Sequence, residues 1–203
     1  MKTIQFNGKS FIPSKIVCIG RNFVAHAQEL GNEVPQQMVI FTKPNSSISD
    51  ELHSFNLEPL HYEAELSFLY QNGRFIAVAF GLDLTKRQTQ AFLKSKGLPW
   101  ERAKAFDGAA LFSEFVPIES ISDSMSLELY IDNHLVQKGD VGLMINKPLA
   151  ILNEVNAFMS LADNDVVMTG TPKGVGEIEK GSVFWGRVVS QQQVLVEHRW
   201  TAQ

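Results

Sequence analysis

Polar and apolar side chains alternate without a break through His61-Tyr62-Glu63-Ala64-Glu65-Leu66-Ser67-Phe68. Strand side chains point to opposite faces in turn, so this run predicts a sheet with Tyr62, Ala64, Leu66 and Phe68 toward a core. His61, Glu63, Glu65 and Ser67 then share the other face. A rise of about 3.3 Å per residue spaces the two glutamates about 7 Å apart along it. Like charges so placed repel unless water, a proton or a cation intervenes. A hard divalent cation such as Mg2+ prefers carboxylate oxygens and leaves positions open for water and substrate. A wet strand face with two solvated glutamates satisfies the same pattern, because alternation is the rule in antiparallel sheets. His61 shares that face and is a candidate fourth ligand or a partner of the ligands.

At 203 residues the chain can bury one full core. A hydrophobic fraction of 44% with 20% charged residues describes a globular domain, not a disordered one. The net charge of −4 offers no basic footprint for nucleic acid. No apolar run reaches the roughly 18 residues of a membrane span. The stretch Met1-Lys2-Thr3-Ile4-Gln5-Phe6 lacks the apolar core of a signal peptide. The lone cysteine, Cys18, lies between Val17 and Ile19 and reads as a buried small hydrophobe, not a nucleophile. Together these features lead to the expectation of a cytoplasmic protein.

Taken in order, residues 3–12 read as a hairpin over Asn7-Gly8, and 15–19 as a buried strand. Residues 24–30 read as a short helix stopped by Gly31, with His26 and Glu29 on one face. That pair is either a surface contact or a general-base dyad in which the carboxylate holds the imidazole. Gly20 and Gly31 border a segment, about 22–34, that can move as a lid. Residues 37–42 read as a strand, and 45–60 as a loop. A two-residue turn at Asn72-Gly73 joins the Glu-x-Glu strand to a strand over 74–84. Strict hairpin pairing sets Asp83 opposite Tyr62, off the glutamate face, so a third carboxylate needs a bulge, for which Gly81 is the candidate.

Thr85 and Gln88 have capping-box spacing before a helix that stops at Gly97. Lys104, between Ala103 and Ala105, is a snorkelling surface lysine or a cation beside a reacting carbonyl or enolate. Residues 127–131 and 134–137 form a hairpin over Asp132-Asn133. Pro148 starts a helix whose stripe Leu149, Leu152, Val155 and Met159 is assigned to the core. After a strand at 165–168, Thr169-Gly170-Thr171-Pro172-Lys173-Gly174-Val175-Gly176 is a glycine-rich turn whose amides can form an anion nest. It lacks the frame of a Walker loop. Closing strands follow from Gly181 to Trp200.

Arg21-Asn22-Phe23, His61 to Leu66, Leu82-Asp83-Leu84-Thr85, Lys96-Gly97-Leu98-Pro99-Trp100, Ala103-Lys104 and the Thr169–Gly176 turn follow one another in a specific order. In that order and spacing the chain resembles the fumarylacetoacetate hydrolase family, and within it the short acylpyruvases and fumarylpyruvate hydrolases. The resemblance implies an α+β, mainly β fold, a mixed β-sandwich roll with a few short helices, in one domain over residues 1–203. It implies a homodimer, and Mg2+ (or Mn2+) held by Glu63, Glu65 and Asp83. It implies that His26 and Glu29 activate a water, that Lys104 positions it or stabilises the oxyanion, and that Arg21 and Thr171 lie near the substrate. Gln137 matches a family position too. The hydroxyl residue usual shortly after the following glycine is missing from Gly139-Asp140-Val141-Gly142.

The chemistry expected first is hydrolysis of a β-diketo acid to pyruvate and a carboxylic acid. Oxaloacetate decarboxylation and isomerisation of a hydroxymuconate-like dienoate are alternatives on the same cation. A catalytically silent module that binds a small dicarboxylate is the alternative of another class.

Overall fold

The computed structural model describes residues 1–31, 33 and 35–203. The chain opens with strands β1 (Ile4–Phe6), β2 (Lys9–Phe11) and β3 (Lys15–Gly20), helix α1 (Val24–Glu29) and strand β4 (Val39–Pro44). Strands β5 (Leu60–Tyr62), β6 (Ala64–Gln71), β7 (Arg74–Asp83) and β8 (Thr85–Lys86) lead into helices α2 (Arg87–Ser95) and α3 (Glu101–Lys104). Next come β9 (Ala110–Phe112), β10 (Val116–Pro117), β11 (Ser126–Ile131), β12 (His134–Asp140) and helix α4 (Pro148–Phe158). The chain closes with β13 (Val166–Met168), β14 (Gly176–Glu177), β15 (Val183–Ser190) and β16 (Gln193–Thr201).

Among the described residues, the largest sheet runs β10-β7-β6-β13-β3-β4, with β9 also on β7. It is mixed: β13 pairs with β3 in parallel, and its other pairings are antiparallel. A four-stranded sheet, β12-β11-β15-β16, packs against it. Leu66, Phe68, Phe80 and Leu82 from one sheet meet Leu127, Leu129, Phe184 and Val188 from the other in the main core. The sheets approach so closely at Gly186 that a Cβ there would lie 2.3 Å from the Phe80 ring. On the far side Val17, Ile19 and Val167 pack against Ile151, Leu152 and Val155 of α4. The expected fold, a mainly β sandwich roll with a few short helices, is the observed one.

The structure corrects several local expectations. The run from His61 to Phe68 is not one strand: it breaks at Glu63 and switches sheets, since β5 pairs with β8 and β14 while β6 joins the large sheet. Thr85 is not a helix cap. It pairs with His61 in β8, and the first amides of α2, on Gln88 and Thr89, instead donate to Glu58 Oε1 at 3.0 and 3.2 Å. On α4 the buried stripe is Pro148, Ile151, Leu152 and Val155, so Leu149 faces outward and is exposed. Cys18 is buried, as expected. No helix among the described residues is long and apolar enough to cross a membrane.

The bulge that aims Asp83 exists, but not at Gly81. Asn72 and Gly73 both take positive φ, as a two-residue type I′ turn demands. Gln71 pairs with Arg74 and Tyr70 with Phe75; then Ile76 is the extra residue, and Leu69 pairs with Ala77. One added residue shifts every later pair by one and turns each side chain to the other face. Ala64 therefore pairs with Leu82, and the Asp83 amide donates to the Glu63 carbonyl at 2.8 Å. Asp83 thus lands beside Glu63, not opposite Tyr62. Gly81 serves close approach: a Cβ there would lie 2.3 Å from Ser67 Oγ.

Candidate active site

Three carboxylates converge where β6 begins and β7 ends. One ligand oxygen from each of Glu63, Glu65 and Asp83 lies within 4.8 Å of the others, and all three residues are buried. His61, carried by β5, is not one of this group. Two buried lysines and one arginine bind the cluster from the sides. Lys104 Nζ donates to Glu63 Oε2 (2.9 Å), Asp83 Oδ2 (2.8 Å) and the Thr85 hydroxyl (2.6 Å). An ammonium has three protons, so Lys104 is fully committed. It is no snorkelling lysine; α3 carries it inward and it is 2% exposed. Arg87 Nη2 donates to Glu63 Oε1 at 2.5 Å. Lys43 lies 2.8 Å from Asp83 Oδ1 and donates to the Lys104 carbonyl.

The carboxylates feel unequal fields. Burial pushes the Glu63 carboxyl up, but the charges of Lys104, Arg87 and His26 outweigh it and hold the group well below its usual range. Burial and the charges of Asp83 and Glu63 push Glu65 well above its usual value, against Lys104 and the Gly170 amide. For Lys104, burial is outweighed by Asp83 and Glu63, which raise its pKa. Asp83 Oδ1 is buried and forms an ion pair with Lys43 Nζ at 2.8 Å that is not aligned as a hydrogen bond. A carboxylate reluctant to ionise and an all-oxygen donor set fit a hard divalent cation. Mg2+ and Mn2+ satisfy this chemistry equally.

The cleft over this cluster is lined by Arg21, His26, Glu63, Glu65, Asp83, Lys104 and Thr171, among others. Seven of the eight expected site residues therefore share one cavity, and the eighth, Glu29, stands behind His26. The His26 Nδ1 to Glu29 Oε2 distance is 3.4 Å. Glu29 also accepts from the Gly174 amide, at 2.9 and 3.1 Å to its two oxygens. The glycine-rich turn does act as an anion nest, but for the chain's own carboxylates: Gly170 donates to Glu65 Oε2 at 2.7 Å. Gln137 fixes the turn. It accepts from the Ala64 amide (3.0 Å) and donates to the Thr171 hydroxyl (2.9 Å) and the Pro172 carbonyl (2.8 Å). In the segment after Gly139, Asp140 Oδ1 accepts the Leu143 amide at 2.9 Å and caps the turn that follows.

Sequence reasoning missed Arg87, Lys43 and Asn22. Lys43 carried a signal, since it follows Val39 and Phe41 at strand spacing and so belongs on their face. Asn22 is fully buried and ties three segments together. Its amide donates to the carbonyls of Thr169 (2.8 Å) and Asn146 (2.9 Å), and its oxygen accepts the Asn146 amide (2.7 Å).

A sandwich roll with three buried carboxylates at the end of one strand and the start of another is a scaffold that can hold a metal ion, and likeness to known proteins gives its family. The chain belongs to the fumarylacetoacetate hydrolase family: residues 15–74 and 75–199 match the family's "Fumarylacetoacetate (FAA) hydrolase C-terminal" region. It is 37% identical to oxaloacetate tautomerase FAHD1 of Arabidopsis thaliana, a mitochondrial protein, with 92% of each chain covered. It is 35% identical to the mitochondrial oxaloacetate decarboxylase of Dictyostelium discoideum, covering 84% of this chain and 86% of that one. Fumarylpyruvate hydrolase of Pseudomonas aeruginosa, solved in complex with Mn2+ and pyruvate, superposes with a TM-score of 0.89 at 26% identity, over 99% of this chain and 95% of that one.

Proposed function

We propose that the chain is a divalent-cation-dependent isomerase that interconverts the enol and keto forms of oxaloacetate. One observation carries the choice among the family's reactions: every proton of Lys104 is committed to Glu63, Asp83 and Thr85. Hydrolysis of a β-diketo acid needs a water activated by one group and an oxyanion steadied by another. In this cleft Lys104 serves the second purpose only by leaving a carboxylate. Tautomerisation asks for less. The enol loses its O–H proton, C3 gains one, and no C–C bond breaks. The order expected from sequence, hydrolysis first, is therefore reversed here, in keeping with the oxaloacetate-directed names of the relatives.

In this reading Glu63, Glu65 and Asp83 hold the cation, which supplies Lewis acidity toward the C2 oxygen. His26 carries the proton. Its Nδ1 faces Glu29, which leaves Nε2 as the ring nitrogen for substrate. Glu29, held by Gly174, orients the ring. Lys104 and Arg87 keep the carboxylates together, and Thr171, fixed by Gln137, forms part of the wall. The segment 22–34 is retained as a lid, its residues 32 and 34 lying outside those described. A homodimer and a cytoplasmic location remain part of the proposal.

Decay of enol-oxaloacetate, followed by its ultraviolet absorbance with Mn2+ and then with chelator, tests the reading. Accelerated, chelator-sensitive decay that outruns pyruvate release supports it. Pyruvate release from oxaloacetate at the same rate makes the chain a decarboxylase, the second reading, favoured by the Dictyostelium relative. Faster pyruvate release from acetylpyruvate overturns both.

A further inference from the structure

The cleft holds more positive charge than a cation seat and a proton carrier require. Arg87, Gln90 and Lys94 recur at i, i+3 and i+7 on α2, which sets them on one helix face, and all three line the cleft with Arg21. Arg87 is engaged by Glu63 at 2.5 Å and Gln90 at 2.7 Å. Arg21 enters no ion pair among the described residues. It is held in place at a backbone cost: its φ is +55°, a left-handed conformation that non-glycine residues seldom adopt. The buried Asn22 next to it, bonded to Thr169 and Asn146, anchors that turn. Burial and the charges of Arg21 and Arg87 outweigh that of Glu63 and push the Lys94 ammonium, which is not without a partner, below its usual range. Cations crowded in this way are relieved by an anion.

We propose that Lys94 and Arg21 form a specificity-determining pair for a second carboxylate on the substrate, the one remote from its 2-oxo acid end. The cleft then takes dicarboxylate 2-oxo acids in preference to acylpyruvates with an uncharged acyl end. The pair would act through the function proposed above, in which the 2-oxo acid end sits at the cation.

Two matched comparisons test it. The first is the ratio of kcat/KM for oxaloacetate to that for acetylpyruvate, with Mn2+ saturating. The second is the ratio of calorimetric Kd values for lactate and malate on the Mn2+-loaded protein, since these unreactive 2-hydroxy acids differ by the remote carboxylate. Lys94→Met is expected to lower both preferences about 10- to 100-fold, the range for one hydrogen bond to a charged group. Lys94→Arg should restore most of each. Equal loss for both members of a pair, or no loss for either, overturns the proposal. If the unaltered protein does not turn over oxaloacetate, the proposed function fails, while the lactate–malate ratio still decides the role of Lys94.

Discussion

Two ionic clusters in this molecule are built from the same residue types and do opposite things. On the outward face of the four-stranded sheet, Glu128 accepts from Lys138 (3.0 Å), from the Tyr130 hydroxyl (3.3 Å) and from Arg187, and Arg187 lies over the rings of Tyr130 (4.9 Å) and Trp185 (4.7 Å). One carboxylate faces two cations. Hydrogen bonds and charge from Arg187 and Lys138 outweigh burial and hold Glu128 below its usual range. In the cleft, three carboxylates crowd together and Glu65 is driven up by burial and by the charges of Asp83 and Glu63. In the outer cluster the carboxylate is fully partnered, with only Arg187 Nε left without a hydrogen bond, and the cluster stabilises the fold. The inner one pairs Glu63 and Asp83 with Lys104, Arg87 and Lys43 but leaves Glu65 with no ion pair among the described residues, only the Gly170 amide, which is the property a cation exploits.

The sharpest way to break this contrast is Glu65→Gln. Loss of a cation ligand should lower turnover about 1,000-fold or more, since a Lewis acid is worth several kcal/mol. It should also abolish the rise in Tm that Mn2+ or Mg2+ gives the unaltered protein. The metal-free variant should nevertheless melt higher than its parent. The Glu65 pKa is raised on folding, so its favourable contribution is complete below the unfolded pKa and fades as pH rises through the folded one. The gain in Tm should therefore be larger at pH 8 than at pH 5; a loss at pH 8 would refute the strained-cluster account. Cation affinity should rise with pH across the same window, because the ligand must ionise.

Next in size, His26→Ala should cost about 100- to 10,000-fold in turnover, the usual span for a general base, while the cation-induced rise in Tm persists. Gly174→Ala should cost less activity. Its φ is +99° and the new Cβ would lie 2.1 Å from the Val136 carbonyl oxygen, so the turn must move and release Glu29. A stability loss of about 1–3 kcal/mol is expected from such strain, read by chemical denaturation. Smallest for function is Glu128→Gln, expected to lose about 1–3 kcal/mol of stability with turnover intact. Because the Glu128 pKa is lowered on folding, its contribution is present above the unfolded pKa and is lost as pH falls through the folded one. The gap between parent and variant should shrink in acid. A turnover defect in Glu128→Gln would mean that the two clusters are coupled.

What the sequence by itself determined was the chemistry on offer and most of the local structure. Alternation, turn dipeptides and glycine stops located the Asn7-Gly8, Asn72-Gly73 and Asp132-Asn133 hairpins, helix α1 and the start of α4, because these depend on φ preferences and periodicity within a few residues. The Glu-x-Glu pair, His26 with Glu29, and Lys104 were legible as candidates for the same reason. Only the tertiary structure decided which of them meet. Asp83 joins the glutamates through one bulged residue, Ile76, which no local rule singles out, because a bulge is selected by packing across both faces of the sheet. Thr85 looked like a cap and became a partner of Lys104, since a remote loop supplied Glu58 to the helix amides instead. Arg87 was invisible as a site residue, and Lys43 was legible only as a lysine on an apolar strand face, because a charged side chain reveals its partner only when strands and helices distant in sequence bring an opposite charge within reach.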